Sequence, residues 1–166
     1  MVFSDNIFEK ENFVLKVNSE EATFSKFGPE FKIDMKIKLK AFPSSGRFGN
    51  ILRVTNTNGN YGTKGDRYPA LFVHPNNHFH FTSSIDDNSN HHTDSSSVAL
   101  NRWYEISIEQ RKYGYGEYKY EIFIDDKRLE SKVFWKPLEL KTAKLYLSDQ
   151  FHEEAKVEFD YLRIFY

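Results

Sequence analysis

The side chains with the most chemistry to offer fall in two polar stretches, a histidine-rich segment and the closing strand. The first stretch, Ser84–Ser97, holds Asp86, Asp87, Asn88, Asn90 and Asp94. Carboxylate and amide oxygens in one loop suit a hard cation that gathers about six to eight oxygens, so Asp86, Asp87 and Asn88 are candidate calcium ligands. Asp86, Asn88 and Asn90 follow the spacing that opens an EF-hand loop. His91 then stands where that loop needs glycine, and Ser97 where it needs a bidentate Glu, which excludes the EF-hand itself. The second stretch, Asn56–Tyr68, contains Asp66 within Gly65-Asp66-Arg67, with Asn56, Asn58 and Asn60 upstream. Asp66 is the other candidate calcium ligand. The alternative is a carboxylate that pairs with Arg67 or caps a turn.

His74, His78 and His80 flank a short connection, and His91-His92 lie beyond it. On a strand, His78 and His80 project from one face, opposite Phe79 and Phe81. Such a pair can share a metal ion or hydrogen-bond a ligand. Glu158 and Asp160 also share a strand face; glycoside hydrolysis needs two carboxyl groups facing each other across roughly 5–9 Å. The chain has no cysteine, hence no thiolate nucleophile or zinc site. It has no Gly-x-Ser-x-Gly, HExxH or phosphate-cradling glycine loop. Tyr61, Tyr68, Tyr113, Tyr115 and Trp135 lie in or beside predicted loops, where an aromatic face could stack on a sugar ring.

The elements that must position these groups are strands. Phe31, Ile33, Met35, Ile37 and Leu39 alternate with Lys32, Asp34, Lys36, Lys38 and Lys40, the pattern of a half-buried antiparallel strand. Tyr104, Ile106 and Ile108 alternate with Glu105, Ser107 and Glu109. Tyr118, Tyr120, Ile122 and Ile124 follow, and a glycine-containing connection makes these two runs a hairpin. Asp125-Asp126-Lys127 is a tight turn into Arg128–Ser131. Further strands are predicted near Phe13–Val17, Ala22–Phe27, Ile51–Thr55, Ala70–His74, Phe79–Ser83, Lys144–Leu147 and Lys156–Tyr166. In the last, apolar positions switch phase near Tyr161, which requires a bulge or a change of buried face. A short helix fits Gln150–Ala155. Trp103, at a strand start, is expected in the core. About ten short strands joined by polar turns point to one all-β domain over residues 1–166, a sandwich or barrel.

Composition narrows the partners. Of 166 residues, 23 are basic and 24 acidic, for a net charge of -1, and no basic tract suits a phosphate backbone, so nucleic acid is excluded as a partner. No run approaches the roughly 18 apolar residues of a membrane-spanning helix, so membrane insertion is not expected, and no signal peptide is visible. Oligomeric state is not set by these features.

A resemblance then adds to this. Gly65-Asp66-Arg67-Tyr68-Pro69-Ala70-Leu71-Phe72-Val73 leads into the His/Phe strand. Leu100-Asn101-Arg102-Trp103, Ile106-Ser107-Ile108-Glu109-Gln110 and Tyr120-Glu121-Ile122-Phe123-Ile124-Asp125-Asp126 follow in order, and Phe159-Asp160-Tyr161-Leu162-Arg163-Ile164 closes the chain. This order, over roughly Phe31–Tyr166, resembles the laminin-G-like and concanavalin A-like domains. The resemblance implies a two-sheet antiparallel jelly-roll sandwich. It also implies an extracellular or cell-surface setting and binding of a glycan or an extracellular protein partner, often at rim loops with calcium. The chain departs from the laminin-G pattern in lacking a late disulfide. Glycan-hydrolysing members carry Glu-x-Asp-x-x-Glu on one strand; Glu158 and Asp160 begin that motif, but Arg163 occupies its last place. The expectation is therefore a non-catalytic, lectin-like recognition domain, with Arg67, Tyr68, Asn77 and His78 as ligand contacts. A structural or adhesive module without sugar binding, and an unusual glycan hydrolase, are the alternatives.

Overall fold

Strict alternation on β3 (Phe31–Ala41) sets the frame. Its apolar residues are buried and its lysines line the opposite face. β3 pairs antiparallel with β8 (Trp103–Lys112), and β8 with β9 (Tyr118–Ile124). On its other side β3 pairs with β13 (Lys156–Phe165). These registers align Ile164, Ile33, Ile108 and Ile122 in one cross-strand row, and Leu162, Met35, Ile106 and Ile124 in the next. β1 (Asn6–Val14) and β10 (Lys127–Phe134) complete a six-stranded sheet in the order β1-β13-β3-β8-β9-β10. The computed structural model describes residues 3–44 and 46–166.

The second sheet runs β2 (Ser19–Phe27), β11 (Leu140–Leu147), β4 (Gly49–Thr55), β5 (Ala70–Val73), β6 (His78–Ile85) and β7 (Asn88–Ser97), with the two-residue β12 (Glu153–Glu154) pairing parallel to β4. Phe27, Val54, Leu71, Val73, Phe79, Phe81 and Leu145 of this sheet join Ile33, Met35, Ile37, Ile108 and Ile122 of the first in one core. The architecture is the expected all-β jelly-roll sandwich, and the described residues contain no helix.

The phase switch on β13 is a bulge. Its register against β3 shifts between Phe159 and Tyr161, so that Phe159 and Leu162, three residues apart, both point inward. The Asp125–Asp126 turn has positive φ at both residues (50° and 61°), the geometry of a two-residue hairpin loop.

Three expectations are corrected. Trp103 is 39% exposed; it opens β8 on the outer face, where Lys38 lies 4.5 Å from its ring, and the neighbouring Tyr104 fills the core instead. Gln150–Ala155 is not helical. Asp149 Oδ1 accepts the Phe151 and His152 N–H groups as a helix cap would, but the chain then leaves as β12 along β4. Ser84–Ser97 is not a long loop. It is the end of β6, a tight turn at Asp86–Asp87, and β7, an edge strand whose polar residues need little burial.

Candidate binding cleft

The outer face of the second sheet is covered at its centre. β4 and β5 are buried on both faces because the Asn56–Tyr68 loop and the Asp149–His152 turn fold back over them. β5 alternates Leu71 and Val73 inward with Phe72 outward. Register then sets Asn50 on one side of Phe72 and His80 on the other, with Asp94 beyond. A bulge in β4 lets Asn50 and Arg53, three residues apart, both face outward.

Arg53 and Asp66 hold the loop down. Arg53 Nε donates to the Asp66 carbonyl at 2.8 Å, and Nη2 to the Gly59 carbonyl. The Asp66 carboxylate accepts the Thr57 hydroxyl and, at 2.9 Å, the Thr63 N–H. Gly59 packs so closely on this carboxylate that a Cβ would lie 2.7 Å from Oδ1.

A cleft of about 280 Å³ remains between the loop, the turn and the sheet, lined by Phe48, Asn60, Tyr61, Arg67, Phe72, His80, Asn90 and His152. Arg67 forms its floor. The residue is 7% exposed, and its guanidinium lies 4.7 Å from the Phe72 ring and 5.5 Å from the Tyr61 ring. Nε donates to the Asn60 carbonyl at 3.0 Å, Nη2 to Asn60 Oδ1 at 2.8 Å and Nη1 to Asn90 Oδ1 at 3.0 Å. Burial pushes the guanidinium below its ordinary range, and the Arg53 charge adds to that push.

His152 reaches the cleft through a relay. Asn50 Oδ1 accepts the Asp149 N–H at 2.9 Å, and the Asp149 carboxylate contacts His152 Nδ1 at 2.8 Å and Arg53 at 3.4 Å. Burial raises the Asp149 carboxyl, but the His152 hydrogen bond, the Phe151 N–H and Arg53 outweigh it, leaving the group below its ordinary value. The other ring nitrogen, Nε2, faces the cleft floor, 3.5 Å from Arg67 Nη2.

Beside the cleft runs a histidine strip. The His74 and His78 rings stack at 4.1 Å, the His92 ring lies 5.5 Å from that of His80, and His80 Nδ1 contacts Asp94 at 2.5 Å. Phe48 joins strip and cleft, with ring centroids 4.7 Å from His74 and 5.1 Å from His80.

The four expected ligand contacts are dispersed. Arg67 is in the cleft. Tyr68, the next residue along the backbone, points the other way and is 0% exposed; its hydroxyl donates to the Leu138 carbonyl at 2.8 Å and accepts from Gln110 Nε2. It belongs to the core, not to a ligand face. Asn77 is exposed at the β5–β6 turn with φ 63°, and His78 stacks in the strip. Neither lines the cleft. Phe48, Asn60, Phe72 and His152 line the cleft without a spacing signal that singles them out, although the alternation of Leu71, Phe72 and Val73 already turns Phe72 outward.

The expected calcium ligands are also apart in role. Asp66 is buried in the loop staple. Asp86 Oδ1 accepts the Trp135 and Lys136 N–H groups at 2.9 Å each, Asp87 pairs with Lys136 and, at 2.9 Å, Lys64, and Asn88 Oδ1 accepts the Asn90 N–H. Among the described residues no three His, Asp or Glu side chains are arranged to hold one metal ion. Glu158 and Asp160 lie on the other sheet, paired with Lys38 at 2.6 Å and Lys36 at 3.1 Å.

No protein-family model matches the chain, and no curated protein does. Solved structures share its fold. Trypanosoma rangeli sialidase superposes with a TM-score of 0.61 at 10% identity over 82% of this chain, which corresponds to only 20% of the sialidase. The native heptameric SAP-like pentraxin of Limulus polyphemus gives a TM-score of 0.60 at 10% identity, covering 93% of this chain and 75% of the pentraxin. The receptor-binding domain of botulinum neurotoxin D gives 0.62 at 13% identity, covering 93% of this chain and 40% of that one. At such identities the likeness establishes a common jelly-roll sandwich fold.

Proposed function

We propose that this domain is a non-catalytic recognition module of lectin-like type that takes up a saccharide in the Arg67 cleft. The observation that carries this reading is the lining itself. Aromatic rings of Phe48, Tyr61 and Phe72 meet the amides of Asn60 and Asn90 and the imidazoles of His80 and His152 in one open cleft of about 280 Å³. Sugars present apolar C–H faces and a rim of hydroxyls, and this lining offers a partner for each. The volume is near the low end of ligand sites, about 300 Å³, which suits one end of a glycan and not a long chain. No Asp or Glu lines the cleft, so the pair of carboxyl groups that glycoside hydrolysis uses is missing from the place where the sugar would sit.

The laminin-G-like and concanavalin A-like resemblance supports the same reading, as does the shared fold of a sialidase solved with sialic acid and a toxin's receptor-binding domain. An extracellular or cell-surface setting goes with it. The candidate calcium ligands are engaged by protein donors, so we propose recognition that does not need calcium.

A glycan array tests this directly. Wild-type protein is expected to bind a defined subset of glycans equally in chelator and in calcium. Tyr61→Ala, at a ring 66% exposed on the cleft mouth, should weaken binding by about 1–2 kcal/mol with an unchanged Tm. Absence of glycan binding, or release of reducing sugar from a bound glycan, would refute it.

A further inference from the structure

Arg67 poses a problem that saccharide binding in general does not solve. A guanidinium this deeply buried is costly unless it is paired. Yet among the described residues none of its nitrogens lies within 4 Å of a carboxylate; its direct partners are the Asn60 carbonyl and amide oxygen, Asn90 Oδ1 and, at 3.5 Å, the His152 ring. The two carboxylates whose charge reaches it are engaged elsewhere. Asp149 serves His152, Arg53 and two backbone N–H groups, and Asp66 serves Thr57 and Thr63.

The donors around Arg67 are in excess. The guanidinium has five N–H groups, of which three make hydrogen bonds of 3.0 Å or less and a fourth reaches His152 only at 3.5 Å. Asn60 and Asn90 both spend their amide oxygens on Arg67, and among the described residues their NH2 groups meet no acceptor. The floor of the cleft is thus a buried cation with one N–H unengaged, next to the Asn60 and Asn90 amides, and the described residues put no acidic side chain in its lining.

We infer that the cleft selects saccharides that carry a carboxylate, and that Arg67 is the residue that takes it. A carboxylate can accept the one unengaged Arg67 N–H and the one that reaches His152 only at 3.5 Å, and the Asn60 and Asn90 NH2 groups can donate to its remaining lone pairs or to an adjacent hydroxyl. The Phe72 and Tyr61 rings lie 4.7 Å and 5.5 Å from the guanidinium carbon and pack beside it. Two saccharide sources offer this chemistry, hexuronic acids and nonulosonic acids, and both present a carboxylate on the sugar ring. The inference rests on the cleft's being a saccharide site and adds the charge that the saccharide must bear.

Isothermal titration at low and moderate salt tests it with three pairs of probes: glucuronate-terminated and galacturonate oligosaccharides and N-acetylneuraminyl-lactose, each against its own methyl ester. Esterification removes the charge and leaves both the ring and the protein intact. At least one free acid is expected to bind about ten- to a hundredfold more tightly than its ester, the scale of a charge-assisted hydrogen-bonded pair, and to weaken as salt rises. Which acid binds identifies the source. Arg67→Lys, which keeps the charge but loses the fork, should erase most of that preference, and circular dichroism checks that the variant is folded. Acid and ester binding equally, or tight binding of neutral glycans alone, would overturn the inference while leaving saccharide recognition in place. Binding of no saccharide at all would overturn both.

Discussion

Arg67 and Tyr68 show what one residue of phase does. Sequence context makes them look alike, two polar-tipped side chains at the end of a polar loop. On an extended backbone they point to opposite faces, and Tyr68, turned inward, is out of phase with Phe72, which faces outward with Arg67. Arg67 ended on the outer face against Phe72, and Tyr68 between the sheets against Phe31 and Phe27. The core position of Tyr68 carries its own consequence. Its hydroxyl connects the Leu138 carbonyl to Gln110, and burial holds the phenol far above its ordinary range. Tyr68→Phe takes one partner from the half-buried Leu138 carbonyl and one from the buried Gln110 amide, which keeps its bond to the Pro29 carbonyl, at a cost of about 1–3 kcal/mol. Chemical denaturation should register that loss while saccharide affinity stays as in wild type. A Tyr68→Phe protein with full stability and lost binding would return Tyr68 to the ligand.

At the scale of elements, the strands with charge on one face and hydrocarbon on the other were legible, and β3, β8 and β9 formed where their alternation placed them. β7 was not legible, because a run of Asn, Ser, His, Thr and Asp has no apolar phase to read; pairing with β6 alone made it a strand. That pairing brings His92 beside His80, while the β5–β6 connection stacks His74 on His78, so the histidine strip belongs to three adjacent strands and not to any one imidazole. Burial depresses His80 and His74 below their ordinary value of 6.5, and neighbouring imidazoles oppose protonation further: His92 and His74 around His80, and His78 beside His74. Asp94 acts in the opposite sense on both and does not reverse the direction. The unfolded chain therefore takes up protons first as pH falls below about 6.5, and stability is lost from there downward until the folded imidazoles titrate in turn. Tm should fall between pH 7.5 and pH 5, more steeply than in a His80→Asn variant. A Tm that is flat or rises on acidification would contradict the direction of these shifts.

At the scale of the molecule, the sandwich was legible because its core is built from hydrocarbon alternation, and even the β13 bulge announced itself as a slip of phase near Tyr161. The cleft was only partly legible. It depends on two segments folding back over the outer face of β4 and β5, and what holds them is a set of long-range contacts: Arg53 to Gly59 and Asp66, and Asn50 to Asp149. Each joins residues whose sequence neighbourhoods say only "polar loop". Arg67 was visible as a candidate, but its lack of a carboxylate partner was not, since only the fold decides that Asp66, the adjacent residue, turns its carboxylate away to Thr57 and Thr63. The rim that looked suited to calcium, by contrast, spends its oxygens on lysines and backbone N–H groups, and the cleft proposed for the ligand lies on the outer face of the sheet.

Where a bound saccharide sits is therefore the decisive observation. A titration of isotope-labelled protein with the best-binding acidic oligosaccharide, followed by NMR through backbone amides, Asn side-chain amides and the arginine Nε–H, reads that position residue by residue. Perturbations are expected to centre on Asn60, Tyr61, the Arg67 side chain, Phe72, His80, Asn90 and His152, with the outer face of the six-stranded sheet unmoved. Perturbations centred on Asp86–Asn88, or on Tyr113, Tyr115 and Trp135, with the cleft unchanged, would contradict recognition through Arg67.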